Sequence, residues 1–331
     1  MEQYKWLAKK TINYDYLCEE LYDSQENNHF ANFGPANKQL QKIARKKLKI
    51  NDDYDIIACS SGTAAYHAII FTLQIVTEKN LRVANQAFTF PSSAQGPASG
   101  SLFVDLDDEF SFDLTDNFLN HADIIVVTNV FGHLQKLTDL VNFAKANKKY
   151  LVFDNAATPY SFYKGQNSCN LPDASFISLH HTKPIGFGEG GLAIIKKEWS
   201  EVFKSVINFG WNDGMFNERG SNFKMSELNA AGVLQYWRQF DIDTMMKSYL
   251  DNYYDLLYNL KQKVNVTQYQ NYGEMDKFLP ACLPVLFEED VNISDKIEVK
   301  QYYKPLVEKP VCSLIYNRIR CFPVHERIKN I

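Results

Sequence analysis

Lys183 lies where its residue type and its neighbours could support covalent chemistry. It follows an apolar run, 174–179, and precedes a glycine-rich turn, 186–191, which leads into a second apolar run at 191–195. Burial and nearby positive charge lower the pKa of a lysine and make its amine nucleophilic. Such an amine can form a Schiff base with a carbonyl compound. Because most lysines are solvated, the position of Lys183 does not establish this role by itself.

The segment Ser61-Gly62-Thr63 follows an apolar strand pattern and opens a helical one. Glycine permits close approach of the backbone, the free amides of a first helical turn point outwards, and hydroxyl groups can donate hydrogen bonds to an anion. These features predict a phosphate cradle at a helix N-terminus. The competing interpretation is an ordinary helix cap made by the serine.

Three further side chains lie at or just beyond predicted strands. Asp154 ends the run 150–153 and could hold a pyridine nitrogen protonated, although an aspartate at this place also commonly acts as a cap. Phe90 could stack on a flat ring, whereas a lone phenylalanine more often packs in the core. Ser178, five residues before Lys183, could reach the same phosphate or could form hydrogen bonds within the sheet.

Short apolar runs alternate with helical patterns from residue 54 onwards. This alternation predicts a mostly parallel sheet that is covered by helices on both faces. In such sheets, ligands bind at the carboxyl ends of the strands. The helical stretch 137–146 separates two of the runs. The predicted strands are 55–59, 81–84, 101–105, 124–128, 150–153, 176–179 and 192–195.

The second half of the chain predicts a smaller domain. A polar loop, 208–221, precedes a helical pattern that begins near Met225 and continues into the 250s. The tyrosine-rich remainder contains a predicted loop at 300–309. We place a large ligand-binding domain with an N-terminal helical segment at 1–240, and a small C-terminal α/β domain at 241–331.

Composition argues against several classes of function. The 331 residues carry a formal net charge of -4, and the short basic run 45–49 fits a solvated helix face, so we expect no nucleic-acid partner. We find no apolar segment typical of a membrane span or a signal peptide, so we expect a cytoplasmic protein without a membrane partner. The six cysteines are scattered, and the seven histidines lack metal-ligand spacing, so we expect reduced thiols and no metal.

The glycine-rich run 186–191 superficially suggests a nicotinamide-dependent dehydrogenase. The fingerprint of that class follows the first strand of its domain and opens a helix. Here the run follows a late strand and leads into another strand, so we reject this class.

The order of the candidate groups along the chain is phosphate cradle, aromatic residue, aspartate, serine and lysine. The segments that carry it are Ser60-Ser-Gly-Thr-Ala-Ala65, Phe88-Thr-Phe90, Phe153-Asp-Asn-Ala-Ala157, Ser178 to Lys183, Gly188-Glu-Gly-Gly191 and Gly220-Ser-Asn-Phe-Lys-Met225. In these segments the chain resembles the DegT/DnrJ/EryC1/StrS family of pyridoxal-phosphate-dependent nucleotide-sugar aminotransferases. The family has the aspartate aminotransferase fold (fold type I), which implies a large cofactor-binding domain with a mostly parallel mixed sheet between helices, and a smaller C-terminal α/β domain.

The resemblance implies a role for each candidate residue. Lys183 would form the Schiff base with pyridoxal 5'-phosphate and relay a proton, and Asp154 would pair with the pyridine nitrogen. Phe90 would stack on the ring. Asn222 would reach the phosphate of the neighbouring subunit, which implies a homodimer with two shared active sites. The residues implied to bind the phosphate within one subunit are Ser61, Gly62, Thr63 and Ser178.

The chain departs from the family pattern at two positions. Ala157 stands where the family usually has glutamine or histidine. Lys224 replaces a frequent arginine, which keeps the charge but loses the planar fork. By resemblance, His181 and His325 are candidate substrate contacts, and a structural role for His181 at a strand end remains equally open.

The activity implied by the resemblance is amino transfer from L-glutamate to a keto group of a nucleotide-linked 6-deoxysugar, for surface-polysaccharide synthesis. The preferred substrate is dTDP-4-keto-6-deoxyglucose, while a 3-keto isomer and GDP- or UDP-linked sugars remain open. Relatives that dehydrate sugars carry histidine in place of the lysine, so Lys183 favours amination. A non-catalytic binding protein on the same fold is disfavoured because both Lys183 and Asp154 are present.

Overall fold

The computed structural model describes residues 4–325 except 213, 270–274, 290–292 and 294–295. Its α-helices are α1 (Tyr14–Glu26), α2 (Pro35–Leu48), α3 (Gly62–Thr77), α4 (Leu137–Ala146), α5 (Ser200–Ile207), α6 (Glu227–Trp237), α7 (Ile242–Lys263) and α8 (Pro310–Arg318). Its β-strands are β1 (Tyr54–Cys59), β2 (Val83–Gln86), β3 (Leu102–Val104), β4 (Ile124–Thr128), β5 (Tyr150–Asp154), β6 (Ser161–Tyr163), β7 (Gln166–Asn167), β8 (Ala174–Ser178), β9 (Gly191–Lys196), β10 (Trp211–Asn212), β11 (Met215–Phe216), β12 (Val266–Gln268), β13 (Met275–Phe278), β14 (Leu283–Phe287) and β15 (Ile319–Phe322).

The central sheet has seven strands in the order β1-β9-β8-β5-β4-β2-β3. Strand β9 is antiparallel to both of its neighbours, β1 and β8, and the remaining pairs are parallel. All strands of this sheet except β9 therefore point in one direction. This arrangement confirms the predicted mostly parallel sheet, whose parallel pairs require crossover connections.

Helices cover both faces of this sheet. Ile56 and Ala58 of β1 belong to a hydrophobic core that includes residues of α2, α6 and α7. Ile57 and Cys59 belong to a second core, which includes residues of α3 and α5. Because successive side chains of a strand point to opposite faces, β1 is buried on both sides.

The predicted strands of the sheet are present, with ends displaced by at most two residues, and the predicted helix 137–146 is α4. The single helix predicted from Met225 into the 250s is wrong. The structure has two helices there, α6 and α7, which are separated at 238–241. Asp241 causes the break, because its side chain accepts a hydrogen bond from Thr244 N at 2.8 Å and caps α7.

The C-terminal part of the chain forms an antiparallel sheet of β12, β14 and β15, against which α7 packs. Strand β13 instead pairs with β6 of the preceding part of the chain. Residues 301–309 form the predicted loop. The division of the chain at residue 240 stays a prediction. In the described part of the chain, no helix combines a bilayer-spanning length with sufficient apolar character.

Glu227, the first residue of α6, is fully buried and accepts three hydrogen bonds. Its Oε2 accepts from Ser24 Oγ at 2.8 Å and from Ala36 N at 2.7 Å, and its Oε1 accepts from Asn37 N at 3.1 Å. The two amides belong to the first turn of α2, where unpaired N–H groups and the helix dipole favour a carboxylate. Gly34 permits this approach, since a Cβ there would lie 2.6 Å from the carboxyl carbon of Glu227.

We expect Glu227→Ala to lower the free energy of unfolding by about 3 kcal/mol, because buried donors that lose their acceptor cost about 1–3 kcal/mol each. Urea unfolding at pH 7 measures the change. Glu201→Ala, which removes an exposed partner of Lys204, is the control and should change the same quantity by less than about 1 kcal/mol. A loss below about 1 kcal/mol for Glu227→Ala would contradict the assigned contacts.

Candidate active site

The register of the central sheet brings the predicted site residues to one edge. Gly191, at the start of β9, pairs with Cys59 at the end of β1 on one side and with Ser178 at the end of β8 on the other. Asp154, at the end of β5, pairs with Phe176 of β8. The carboxyl ends of three parallel strands therefore meet, as the alternating pattern predicted.

The start of α3 lies at this edge, directly after β1. Ser61 caps the helix by accepting a hydrogen bond from a backbone amide of the first turn at 3.0 Å, so the cap interpretation is correct for this side chain. Gly62 packs on Ser178, since a Cβ at position 62 would lie 3.2 Å from the Cβ of that serine. The side chain of Thr63 is half-buried in the same turn. A capping hydroxyl can still donate its own hydrogen, so capping and anion binding are compatible.

The segment that holds Asn222 runs beside this helix start. Ser60 N donates to Phe223 O at 2.8 Å, and Asn222 itself is exposed. Lys224 Nζ donates to Asn208 Oδ1 at 2.7 Å, and burial lowers the pKa of Lys224.

Asp154 is buried, with 3% of its surface exposed. Its Oδ1 accepts a hydrogen bond from Ala156 N at 2.9 Å, and its Oδ2 lies 3.4 Å from Thr128 Oγ1. The Thr128 hydroxyl also lies 2.7 Å from Thr89 Oγ1. Burial raises the pKa of Asp154 to about 6, while the amide hydrogen bond and the Lys183 ammonium lower it in part. The carboxylate is therefore held in a site where a cation would favour its ionised form.

Lys183 lies in the turn between β8 and β9 and is partly buried. Burial lowers the pKa of its ammonium, and the charge of Asp154 opposes this shift. Within the turn, Lys183 N donates to His180 O at 2.9 Å, and Gly186 N donates to Lys183 O at 3.0 Å. The structure thus brings the predicted lysine and the predicted aspartate into electrostatic contact.

The other predicted residues are placed differently. The Phe90 ring is 57% exposed. His181 is half-buried, its ring centroid lies 5.9 Å from that of Phe187, and burial lowers its pKa. His325 Nε2 lies 3.0 Å from Lys5 O in the N-terminal segment.

Two residues of the C-terminal part of the chain join the site without having been predicted. Burial raises the pKa of Tyr303 well above its usual value, and the Asp154 carboxylate raises it further. Burial also raises the pKa of Cys282, and the charge of Lys183 opposes that shift. Both are distant in sequence from Asp154 and Lys183, so no spacing pattern could have indicated them. Ala157 is buried and offers no polar side chain.

The residues at this edge fit pyridoxal phosphate. Its phosphate requires donors such as those of a helix N-terminus, its ring nitrogen requires a carboxylate, and its carbonyl group requires a nucleophilic amine. The raised pKa of Asp154 indicates that the buried acid lacks a sufficient counter-charge, which a protonated ring nitrogen would supply. The fold and the site define a fold type I pyridoxal-phosphate enzyme.

The chain belongs to the DegT/DnrJ/EryC1/StrS aminotransferase family, whose sequence profile it matches over residues 15–328. It is therefore an aminotransferase, with pyridoxal phosphate as its cofactor. The dTDP-4-amino-4,6-dideoxy-D-glucose transaminase of Shigella dysenteriae is 24% identical, over 92% of this chain and 89% of that protein. The GDP-perosamine synthase of Escherichia coli O157:H7 is 23% identical, over 84% of this chain and 80% of that protein.

Among solved structures, the chain is similar to Helicobacter pylori PseC, an aminotransferase involved in the biosynthesis of pseudoaminic acid. The TM-score is 0.81 at 15% identity, with 97% of this chain and 94% of that chain covered. At this identity the likeness establishes a shared fold, and it confirms the predicted fold class.

Proposed function

We propose that this aminotransferase moves the amino group of L-glutamate to a keto group of a nucleotide-linked 6-deoxysugar, with dTDP-4-keto-6-deoxyglucose as the preferred substrate. The observation that carries the amino-transfer part of this proposal is the placement of Asp154 at the end of β5, beside β8, and of Lys183 in the turn that follows β8. Together they supply an acid–base group and an anchor for a ring nitrogen, both of which amino transfer requires. The product would serve surface-polysaccharide synthesis, in the cytoplasm.

Lys183 is the proposed acid–base residue. When bound, pyridoxal phosphate withdraws electrons from the substrate carbon that carries the amino group. Because burial lowers the pKa of Lys183, its neutral amine is more readily available to accept a proton from that carbon. Lys183 then returns a proton to the sugar carbon, which determines the configuration of the new amine. Asp154 holds the ring nitrogen protonated.

The remaining cofactor contacts follow from the helix start and its surroundings. The exposed ring of Phe90 offers a flat face for stacking on the cofactor ring. Asn222 is exposed, which suits a contact with the phosphate bound by a second subunit. The proposed phosphate ligands within one subunit are Ser61, Gly62, Thr63 and Ser178.

His181 and His325 are the proposed substrate contacts. Burial lowers the pKa of His181, and the charges of Lys10 and His180 lower it further. The ring of His181 is therefore neutral at pH 7 and can accept a hydrogen bond from a sugar hydroxyl. His325 would act from the C-terminal part of the chain, next to Lys5.

The names of the two curated relatives support a nucleotide-linked sugar, and they differ in the nucleotide, dTDP in one and GDP in the other. The first name also specifies an amine at carbon 4, which supports a 4-keto substrate over the 3-keto isomer. We therefore rank dTDP-linked 4-keto sugars first and retain GDP- and UDP-linked sugars as alternatives.

A substrate panel tests this ranking. The purified enzyme, with glutamate, is offered 4-keto and 3-keto 6-deoxysugars linked to dTDP, GDP or UDP, and the products are identified by mass spectrometry and NMR. We expect the fastest amination at carbon 4 of the dTDP-linked sugar. A product that has lost water without gaining nitrogen would indicate a dehydratase. Inactivity on every member would favour a binding protein.

A homodimer with shared active sites is part of the proposal. The hairpin β10–β11 exposes Trp211 and Phe216, at 55% and 64%, and their ring centroids lie 5.8 Å apart. Phe209, at 48% exposure, extends this aromatic surface along the chain. Grouped exposed aromatic side chains are typical of interaction surfaces.

We expect the double variant Trp211→Ser/Phe216→Ser to raise the dissociation constant of the dimer by at least about tenfold, because aromatic side chains contribute strongly to interfaces. Sedimentation velocity over a concentration series measures it. Tyr258→Ser on α7, which alters an aromatic residue of 66% exposure, is the control and should leave the dimer unchanged. A wild-type protein that sediments as a 38.1 kDa monomer at all concentrations would refute the dimer.

A further inference from the structure

Lys10, in the N-terminal segment before α1, donates to the turn that carries Lys183. Its Nζ lies 2.7 Å from His181 O and 2.5 Å from the carbonyl oxygens of Lys183 and Gly186. An ammonium group has three N–H donors, so the backbone of this one turn uses all of them.

The same turn is also held from the end of α6. Tyr236 and Trp237 donate from their side chains to the carbonyl oxygens of Pro184 and Ile185, at 3.2 Å and 2.7 Å. Lys10 Nζ lies 5.0 Å from the centroid of the Tyr236 ring, within the range of a cation–π contact. Two neighbouring anchors, one on the N-terminal segment and one on α6, therefore fix the backbone of the turn.

The charge of Lys10 suits this contact. Burial lowers the pKa of Lys10 to about 8, so at pH 7 the ammonium form, with its three donors, predominates. The titratable group that it faces is His181, whose pKa it lowers. The side-chain hydrogen bonds of Lys10 go to three backbone carbonyl oxygens.

We propose that Lys10 is a positioning residue for amino transfer, which holds the backbone of 181–186 so that the Lys183 amine stays aligned with the Asp154 side of the site. Lys10 contacts the turn and acts through Lys183, so this inference rests on the proposed role of that lysine. Alignment matters because a displacement of about 1 Å in a reacting group can lower a rate on the order of 10²-fold.

Lys10→Met tests the proposal, because it keeps most of the side-chain length and removes all three donors. Lys9→Met, which changes the exposed neighbour, is the matched control. In the cofactor-free protein, we expect amide hydrogen exchange in peptides covering 179–187 to accelerate by about tenfold or more, with peptides of α7 unchanged. In the loaded enzyme, kcat should fall by about 10- to 100-fold, while KM for the keto sugar stays within about twofold.

Unchanged exchange in 179–187 would overturn the proposal, and so would a uniform acceleration across the protein, which indicates a general loss of stability. Faster exchange with a wild-type kcat would overturn it as well. Exchange is measured without cofactor or substrate, so its result does not depend on the reaction. If the proposed role of Lys183 is wrong, Lys183→Ala will instead retain amino transfer. If Lys10→Met does not fold, Lys10→Gln retains two N–H donors and should give intermediate exchange; wild-type exchange in that variant would refute the proposal.

Discussion

Replacing Lys183 by alanine is expected to lower kcat for amino transfer by about 10⁴-fold, because the substitution removes both the proposed nucleophile and the proposed acid–base group. Asp154 and the start of α3 remain, so the variant should still bind pyridoxal phosphate, but without a covalent link to the chain. Single-turnover rates with glutamate measure the loss. Absorbance spectra with and without glutamate report whether the cofactor is attached and whether glutamate bleaches its visible band.

Two further variants separate the possible causes of this loss. Lys183→Arg keeps a positive charge that can interact with Asp154 but lacks a nucleophilic amine, so it should be about as inactive as the alanine variant. Lys197→Ala removes an exposed lysine after β9 and should retain wild-type activity. Amino transfer by Lys183→Ala within about tenfold of the wild-type rate would contradict the assigned role, since general acid–base groups contribute about 10²- to 10⁴-fold.

Asp154→Asn is expected to lower kcat by about 10²- to 10³-fold, because it removes the buried charge proposed to favour a protonated ring nitrogen and changes the shape of the site little. Thr128→Val removes the hydroxyl that lies 3.4 Å from Asp154 Oδ2 and keeps the carboxylate. Its effect on kcat should be smaller, below about tenfold. Equal losses in the two variants would show that the hydroxyl contacts, and not the carboxylate charge, determine the rate.

The ionisation of Asp154 also predicts how cofactor binding depends on pH. Burial raises its pKa to about 6, the Lys183 ammonium opposes this shift, and the other titratable groups that face Asp154 are Tyr66 and Tyr303. Below pH 6 the neutral carboxyl group cannot form an ion pair with a protonated ring nitrogen. The affinity for pyridoxal phosphate should therefore fall as the pH decreases through about 6 in the wild type, and this transition should be absent in Asp154→Asn.

The stability of the cofactor-free protein should change with pH in the opposite direction to the cofactor affinity. In the cofactor-free protein the folded state binds the Asp154 proton more tightly than the unfolded chain does, so ionisation of this buried acid reduces stability as the pH rises towards 6. Fluorescence titrations with the cofactor between about pH 5 and pH 8 measure the first trend, and urea unfolding without it between about pH 4 and pH 7 measures the second. A wild-type cofactor affinity that is constant through pH 6 would contradict the assigned pairing.

Much of the fold was predictable because buried parallel strands require continuous apolar runs, and these runs are visible in the sequence. Strands such as β4 and helix α4 lie at their predicted positions. The break between α6 and α7 was missed because apolar spacing continues across it, while the signal for the break is one capping residue, Asp241. The capping hydrogen bond of Asp241 starts a new helix there, although the apolar spacing continues.

Part of the candidate site could likewise be predicted from the sequence, and part could not. Ser178, Asp154 and the start of α3 could be predicted as neighbours because each follows a strand that runs in the same direction, and such strand ends share one edge. The position of the antiparallel strand β9 in this mixed sheet was not predicted, yet its residue Gly191 separates Cys59 from Ser178 and sets their spacing.

The sequence alone indicated the alternation of strands and helices, the residue types at the strand ends and the lysine of the turn between β8 and β9, because these depend on local periodicity and spacing. Tertiary packing brings distant groups to the site: Lys10 from the N-terminal segment and Tyr236 from α6 donate hydrogen bonds to that turn. From the C-terminal part of the chain, Cys282 interacts electrostatically with Lys183, and Tyr303 with Asp154. Contacts across such separations arise from the packing of complete elements, and no short-range pattern in the chain encodes them.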